Sequence, residues 1–187
     1  MTTTMKPTRR STITVRQAFA GVPLAAQAVI DSPIGPLLAL ATGQGLAGLW
    51  FDAQKHHPGE LDAPVDASHP HIVATQRWLD AYWCGRDPSP AAVALDLHGT
   101  PFQRAVWRAL LRIPLGRTKT YGEIAAEVAK SGLGAVPRAT GTAVGRNPVS
   151  ILVPCHRVIG ANGSLTGYAG GLPRKEHLLQ HEGVLLT

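Results

Sequence analysis

The stretch "ILVPCHRVIG" at residues 151–160 places Cys155 and His156 side by side in an otherwise apolar run. A thiolate is a strong nucleophile, and an imidazole can take up the proton that a thiol must lose. Further along, the pattern predicts a helix over residues 173–182 that stops at a glycine, so Glu182 lies at its C-terminal end. A carboxylate there meets the negative end of the helix dipole, which predicts a histidine or a cation nearby. The three side chains could form a carboxylate–imidazole–thiol chain.

Each of these residues also has an ordinary structural interpretation. A cysteine in an apolar run is commonly a small core side chain, and neighbouring side chains on an extended chain point to opposite faces. Taken alone, Glu182 is more often a solvated surface residue, so both interpretations stay open at this point. A metal site is not expected, because the histidines at 56–57 and 69–71 lie in a loop without thiol partners and the chain has no CxxC motif.

The segments that flank Cys155 favour the chemical interpretation. Prolines follow Asn147 and Val153, and each restricts the backbone on one side of "VSIL". The cysteine is therefore held in a defined position. The next segment, "GANGSLTGYAGG" at 160–171, contains five glycines and one tyrosine. This composition predicts a polar, flexible loop that could surround a ligand with its backbone N–H groups.

Three short helices are predicted upstream of this segment. The first opens with Thr100 as a cap followed by Pro101, and the second opens with the capping box of Thr120 and Glu123. The third, "VPRATGTAVGRN" at 136–147, is small and basic. Three such helices with tight turns are typical of a helix-turn-helix, with the third as the recognition helix. Its small residues permit either close approach to another surface or tight packing within the protein.

The first half of the chain predicts a small α+β unit. Short strands are separated by turns, a hairpin is expected around residues 43–45, and a helix is expected before Gly85. Pro- and Gly-containing loops at 85–90 and 96–101 predict a domain boundary near residue 95. We therefore expect three parts. They are a flexible N-terminal tail at 1–24, an N-terminal domain at 25–95 and a C-terminal domain at 96–187.

Composition and charge narrow the class of protein. The chain has 187 residues, of which 44% are apolar and 16% charged, as in ordinary globular proteins, and no apolar run is long enough for a membrane helix. Two cysteines are too few for a disulfide framework and fit the cytoplasm; Cys84 is expected to be buried and inert. Residues 96–187 hold eleven Lys and Arg but five Asp and Glu, so they carry the whole net charge of +6. This asymmetry predicts a polyanion such as nucleic acid as partner, or else a solubilising surface.

The segment "NPVSILVPCHRVIGANGSLTGYAGGLPRKEHLLQHEG" resembles the active-site region of the O6-alkylguanine-DNA alkyltransferases, the methylated-DNA–cysteine S-methyltransferases. The resemblance continues through "TPFQRAVWRALLRIPLGRTKTYGEIA", covers nearly all of residues 95–183, and is looser in "IDSPIGPLLALA". It implies a ribonuclease-H-like N-terminal domain followed by a winged helix-turn-helix domain. It also implies DNA repair by direct reversal, in which one alkyl group moves irreversibly from O6-alkylguanine, or from O4-alkylthymine, to the protein. No cofactor is implied, and the expected state is a monomer on double-stranded DNA.

The same resemblance implies a role for each matching residue. Cys155 would accept the alkyl group, His156 would activate it through a water molecule, and Glu182 would orient the imidazole. Around the extruded base, Asn147 would support the turn and Tyr121 would donate a proton toward the guanine. The guanine pocket would be lined by Val158, Tyr168, Ala169 and Gly170. On the DNA side, Arg138 would be the finger that replaces the flipped-out nucleotide, and Ala139 and Gly141 would meet the minor groove.

The chain departs from the alkyltransferase pattern at two points, and two other functions compete with alkyl transfer. Relatives with zinc in the N-terminal domain bind it through Cys and His, whereas residues 1–95 offer only Cys84, so no zinc is expected. Ala169 stands where some relatives carry a serine that could bind guanine through its side chain. A DNA-binding regulator or damage sensor would lack the nucleophilic cysteine, which this chain keeps. A cysteine hydrolase would need an oxyanion hole and no basic helix of small residues.

Overall fold

A computed structural model of the chain describes residues 15–184 and shows a mixed α/β fold. The N-terminal region contains an antiparallel sheet of β1 (Leu24–Ile30), β2 (Leu37–Thr42) and β3 (Leu46–Phe51), in that order. The predicted hairpin is confirmed, since β2 and β3 pair across residues 43–45. Helix α2 (Pro70–Trp83) lies against this sheet and buries Trp78, Leu79 and Tyr82.

The folded part begins earlier than the predicted tail allows. Residues 1–14 lie outside the described part of the chain. A helical turn, α1, spans Val15–Ala18. Phe19 follows it, is 6% exposed, and meets the ring of Trp50 edge-on at a centroid distance of 6.1 Å. Phe19 therefore belongs to a small apolar cluster on the outer face of the sheet, and the prediction of a flexible tail through residue 24 is wrong for this part.

The C-terminal region carries the remaining elements, apart from a short 3₁₀ turn at Pro90–Ala92 that precedes it. In chain order they are α3 (Pro101–Leu110), β4 (Lys119–Thr120), α4 (Tyr121–Ala129), α5 (Pro137–Gly145), a 3₁₀ turn (Cys155–Arg157), β5 (Val158–Ile159) and α6 (Leu172–His181). Helices α3, α4 and α5 pack against one another. Parallel pairing of β4 with β5 joins the start of α4 to the turn that contains the cysteine.

Both predicted N-terminal caps are present. The Thr100 side chain accepts from the Gln103 N–H at 3.2 Å, and Gln103 Oε1 accepts from the Thr100 N–H at 2.8 Å. Thr120 and Glu123 form the same reciprocal pair at α4. Such capping boxes satisfy backbone donors that a helix start leaves open, which fixes where α3 and α4 begin.

The hydrophobic core runs through both regions. One cluster joins Leu49 of β3 and Tyr82 of α2 to Trp107 of α3, Val153 and Cys155. Trp107 also donates its indole N–H to the Ala143 carbonyl at 2.9 Å, which holds α5 on α3. The cysteine thus lies at the edge of a core to which both halves of the chain contribute. Nowhere in residues 15–184 is a helix long and apolar enough to cross a bilayer.

Candidate active site

The segment before the cysteine is bonded to the N-terminal sheet. Leu49 of β3 donates its N–H to the Pro148 carbonyl and accepts from the Ser150 N–H, both at 2.8 Å. The Ser150 hydroxyl also donates to Gln54 Oε1 at 2.8 Å. Residues 148–150 therefore extend the sheet beyond β3. The next residue, Ile151, is fully buried with φ of 67°, a left-handed conformation that costs a side chain about 1–2 kcal/mol. The surrounding bonds hold this strained backbone just ahead of the thiol.

Asn147 ties this turn together and contacts the cysteine. Its Nδ2 donates to the Val153 carbonyl at 2.7 Å, to the Val149 carbonyl at 3.1 Å and lies 3.0 Å from the sulfur of Cys155. Its Oδ1 accepts from the Val149 N–H at 3.0 Å. One buried amide thus fixes both ends of the turn and directs a donor at the sulfur of Cys155, a residue that is 6% exposed.

His156 and Glu182 form a buried pair. Nε2 of His156 lies 2.6 Å from Oε1 of Glu182, and both side chains have no solvent exposure. Burial alone would raise the pKa of Glu182, but the hydrogen bonds and charges of His156 and Arg157 outweigh it and lower the pKa to about 2. Glu182 is therefore ionised and must accept, which puts the imidazole proton on Nε2. Burial lowers the pKa of His156 despite the carboxylate, so the ring is neutral near pH 7.

Arg157 completes the surroundings of the carboxylate and escaped the sequence reasoning. Its Nε donates to Glu182 Oε2 at 2.8 Å and one terminal nitrogen to Oε1 at 3.0 Å, while the other donates to the Ile113 carbonyl at 2.6 Å. This forked contact supplies the cation that Glu182 requires at the C-terminal end of α6. The signal was present in the sequence, because Arg157 follows directly after His156.

The tautomer of His156 leaves Nδ1 as a proton acceptor. Nδ1 is buried and has no hydrogen-bond partner within residues 15–184. With the proton on Nε2, its lone pair is available to a donor such as a water molecule or a thiol. His156 can therefore act as a base through Nδ1, while Glu182 fixes the orientation of its ring through Nε2.

The thiol itself is protonated in the resting protein. Burial raises the pKa of Cys155, although the Asn147 amide and the charge of Lys175 act in the opposite direction. Lys175, in α6, is fully buried, and its Nζ donates to the Val158 carbonyl at 2.5 Å and to the Thr166 carbonyl at 3.2 Å. Burial lowers the pKa of Lys175 to about 8. This buried cation is a second residue that sequence reasoning missed.

Tyr121 lies at the start of α4, on the same side as the cysteine. Its hydroxyl donates to the Thr166 carbonyl at 2.9 Å. Burial raises the pKa of Tyr121, and the electrostatic influence of Cys155 adds to the rise. The phenol therefore keeps its proton near neutral pH and can serve as a donor.

The predicted pocket loop is bonded to turns of the N-terminal region that flank the sheet. The Ala169 carbonyl accepts from the Lys55 N–H at 2.9 Å, and the Gly170 carbonyl accepts from Arg174 at 3.1 Å. Arg174 also donates to the Ile34 carbonyl at 3.0 Å. Gly170 is packed so closely that an added Cβ would lie 2.7 Å from the Tyr168 ring, which only glycine avoids. The end of this loop is thus more tightly packed than its glycine content predicts.

The other pocket residues lie at the same place. Val158 is fully buried, and its carbonyl is the one that binds Lys175. Tyr168 is half-buried, and burial raises its pKa well above the ordinary value. Tyr121, Tyr168 and Lys175 each lie close enough to Cys155 for its charge to influence their pKa values.

The residues predicted to touch DNA lie on α5. Arg138 is exposed in the first turn, and Ala139 and Gly141 are half-buried. Arg138 and Ala139 border a groove between α5 and the start of α3, to which Phe102 and Val136 contribute, whereas Gly141 is not part of its lining. A Cβ added at Gly141 would meet the Tyr121 ring at 3.6 Å, so this glycine packs beside a predicted site residue.

Cys84 lies elsewhere, and the prediction that it is buried is wrong. It is exposed at the C-terminal cap of α2, where the helix ends and its side chain leaves the core. Among residues 15–184, no three His, Cys, Asp or Glu side chains converge in the way a metal ion requires.

Comparison with known proteins identifies the family. Residues 101–184 match the model of the 6-O-methylguanine DNA methyltransferase, DNA binding domain. Curated relatives named methylated-DNA–protein-cysteine methyltransferase include one from Mycobacterium leprae, 47% identical over 82% of this chain and 89% of its own length. Another, from Salmonella typhimurium, is 61% identical over 84% of this chain and 95% of its own length.

Solved structures agree. That of Mycobacterium tuberculosis OGT in complex with DNA is 44% identical, covers 84% of this chain and 92% of its own, and superimposes with a TM-score of 0.74. A Pyrococcus kodakaraensis O6-methylguanine-DNA methyltransferase, 23% identical over 85% of this chain and 99% of its own, shares the fold with a TM-score of 0.59. The chain belongs to the methylated-DNA–protein-cysteine methyltransferase family.

Proposed function

We propose that this chain repairs DNA by direct reversal, moving the alkyl group of O6-alkylguanine onto Cys155. The observation that carries the proposal is the arrangement around one buried thiol, in which the Asn147 amide lies 3.0 Å from the sulfur and the adjacent His156 is held by Glu182 at 2.6 Å. Membership of the methyltransferase family and the likeness to a DNA-bound relative support the substrate class.

The reaction follows from the protonation states. His156 Nδ1 takes the thiol proton through a water molecule, and Glu182 stabilises the imidazolium that forms. The thiolate then attacks the alkyl carbon, the carbon–O6 bond breaks, and its electron pair passes to the guanine ring. Guanine gains a proton from Tyr121, which must first leave the Thr166 carbonyl. The imidazolium of His156 then returns its proton through solvent to the Tyr121 phenolate, so that in balance the alkyl group ends on sulfur, guanine carries the proton lost by the thiol, and both side chains regain their starting protonation states.

The product is a thioether, and this gives the protein one turnover. A carbon–sulfur bond of this kind is stable, and regeneration of the thiol would require a second alkyl acceptor. The chain is thus consumed in the reaction, and no cofactor enters the scheme.

The target atom lies inside stacked duplex DNA, so the nucleotide must be extruded. Extrusion costs a few kcal/mol and less at a damaged pair. Arg138, exposed at the first turn of α5, fills the gap in the stack, and the small residues Ala139 and Gly141 let the helix approach the minor groove. The excess positive charge of residues 96–187 contributes sequence-independent attraction to the phosphates.

The extruded base enters the region next to the thiol. Tyr168 provides an aromatic face, and Val158, Ala169 and Gly170 contribute backbone groups. Because Ala169 has no side-chain hydrogen-bond donor, contacts at this position depend on the main chain. A site built in this way also accepts O4-alkylthymine.

We propose the domain organisation and the oligomeric state on the same grounds. Residues 25–95 form a ribonuclease-H-like domain, and residues 96–187 form a winged helix-turn-helix domain whose recognition helix is α5. The mutual packing of α3, α4 and α5 supports the second assignment. The chain acts as a monomer on double-stranded DNA in the cytoplasm.

The deciding experiment uses a duplex oligonucleotide that carries a radiolabelled methyl group on guanine O6. We expect one label per chain, located on Cys155 by peptide mapping, and no transfer by Cys155→Ser. The matched control is Cys84→Ser, which removes the exposed thiol and should transfer fully. Multiple turnover, or a folded protein that transfers nothing, would refute the proposal.

A damage sensor is the second candidate function. It would bind the lesion without accepting the group, so intact label on DNA together with tight binding would favour it. The chain has the thiol, and the thiol is buried and hydrogen-bonded to the Asn147 amide, which argues against a function as a damage sensor.

A further inference from the structure

Glu182 receives a hydrogen bond from the other end of the chain. Tyr82, in α2, donates its hydroxyl hydrogen to Oε1 of Glu182 at 2.9 Å, across 100 residues of sequence. Oε1 is the same atom that binds Nε2 of His156. We propose that Tyr82 is a positioning residue for alkyl transfer, which fixes the carboxylate that orients the His156 imidazole. The effect on rate rests on the function proposed above, whereas the effect on the imidazole can be measured without it.

The position of the Tyr82 ring is determined by its neighbours. It is 1% exposed and stacks on Trp78 with a centroid distance of 5.5 Å and an interplanar angle of 11°. Trp83 meets it edge-on at 5.0 Å, and the His181 ring lies 4.9 Å away. Nε2 of His181 also donates to the Tyr82 carbonyl at 2.8 Å. Contacts on several sides therefore hold the hydroxyl where the carboxylate needs it.

The phenol can act only as a donor. Burial raises the pKa of Tyr82 far above its ordinary value, and the Glu182 carboxylate raises it further. The hydroxyl thus stays protonated throughout the range in which the protein is folded. Tyr82 therefore cannot act as a base, and within residues 15–184 its hydroxyl bonds to Glu182 and not to Cys155. Its effect on the chemistry must pass through Glu182 and His156.

Several charged and titratable groups share this region. Arg157, from the 3₁₀ turn, binds both oxygens of Glu182. Lys175 of α6 acts on His156 and Cys155 through its charge, and His181 of the same helix faces Tyr82. Among the hydrogen-bond partners of Glu182 in residues 15–184, Tyr82 is the one from the N-terminal region. Without its hydroxyl, Oε1 keeps His156 and Arg157 as partners, and more of its negative charge acts on the imidazole.

The direction of the change follows from this balance. A less neutralised carboxylate favours the imidazolium, so Tyr82→Phe should move protonation of His156 to higher pH. The freed oxygen also loses one restraint on its orientation. The rate of methyl transfer at neutral pH should fall about tenfold, the loss expected from one hydrogen bond to a charged group.

The test compares Tyr82→Phe with Trp83→Phe in the full chain. Phenylalanine keeps the stack on Trp78 and removes only the hydroxyl, whereas Trp83→Phe disturbs the same aromatic cluster and leaves the bond to Glu182 intact. The first measurement is the pH dependence of the His156 imidazole ¹⁵N shifts, assigned with His156→Asn. We expect Tyr82→Phe to titrate at higher pH than wild type and Trp83→Phe to match wild type.

The second measurement is the single-turnover rate of methyl transfer from a labelled oligonucleotide as a function of pH. Tyr82→Phe should be slower, with its acid limb at higher pH and unchanged affinity for DNA. An unaltered imidazole titration in Tyr82→Phe, or the same change in Trp83→Phe, would overturn the inference. Failure of the wild type to transfer label would refute the proposed function, while the imidazole comparison would still decide the role of Tyr82.

Discussion

The Nδ2 atom of Asn147 lies 3.0 Å from the sulfur of Cys155 and 2.7 Å from the Val153 carbonyl oxygen. The same amide therefore shapes the turn and stabilises negative charge on sulfur. Burial opposes the thiolate, and Asn147 is the first among the groups that counter it. The nucleophile and the turn that presents it depend on one side chain.

Replacement of Asn147 by alanine should lower both the stability of the fold and the rate of methyl transfer. Several buried backbone groups would lose their partner, and the expected loss of unfolding free energy is about 3 kcal/mol. Methyl transfer should slow by more than the folded fraction explains, because the thiol becomes harder to ionise. Urea unfolding and single-turnover label transfer measure the two effects. Asn162→Ala, at an exposed position of the pocket loop, should change neither; equal losses in the two variants would argue against the assignment.

Lys175 should shape the alkaline side of the pH–rate profile. Its pKa of about 8 lies below the ordinary 10.5, so the cation beside the thiol is present below pH 8 and disappears above it. The wild-type rate should rise with pH as the thiol ionises and then flatten above about pH 8. Lys175→Met should react about tenfold more slowly at pH 7 and lack the flattening. Lys130→Met removes an exposed lysine and should retain the wild-type profile, and a flattened profile in Lys175→Met would contradict this role.

Glu182 should make stability sensitive to acid. Its folded pKa of about 2 lies below the ordinary 4.5, so its contribution is fully present above pH 4.5 and is lost as the pH falls through about 2. The linked free energy is about 3 kcal/mol. Urea unfolding between pH 2 and pH 6 should show this loss in the wild type and a flatter curve in Glu182→Gln. The variant should be less stable at pH 7, since Arg157 would lack its counter-charge; parallel curves would contradict the prediction.

Gly141 allows a test of DNA approach that leaves the fold intact. A Cβ at this position meets the Tyr121 ring at ordinary contact distance, and alanine favours a helix by up to about 1 kcal/mol. Gly141→Ala should therefore fold at least as well as wild type yet bind duplex DNA about tenfold more weakly, because the methyl group holds the helix off the groove. Gly145→Ala, where nothing lies within 4 Å, is the matched control for binding titrations. Equal affinities would place the DNA away from this face.

Local signals in the sequence were reliable where local chemistry decides the structure. The caps at Thr100 and Thr120, the hairpin and the end of α2 near Gly85 all depend on residues within a few positions, and each is present. Cys84 was placed wrongly because burial at a helix end depends on what packs there. The predicted flexible tail extends too far along the chain for the same reason, since Phe19 packs against Trp50, which is distant in the sequence.

Long-range contacts explain what the sequence could not reveal about the site. The resemblance to the alkyltransferases implies the pairing of His156 with Glu182, but Tyr82 reaches Glu182 across 100 residues and carries no motif of its own. Lys175 carries no motif that marks it as a site residue, yet it is buried against the Val158 carbonyl. Such partners become visible only when the chain is folded.

The pairing of residues 148–150 with β3 has a consequence for how the protein can be divided. A fragment beginning near residue 96 would contain Cys155, His156, Glu182 and the whole of α5, and would satisfy every motif that identifies the chemistry. It would lack Leu49 and Gln54, which hold the segment in place, and Tyr82. The backbone at Ile151 would then leave its left-handed conformation. The sulfur of Cys155 would move away from the side-chain amide of Asn147. The motif belongs to one half of the chain, but the nucleophile is a property of both.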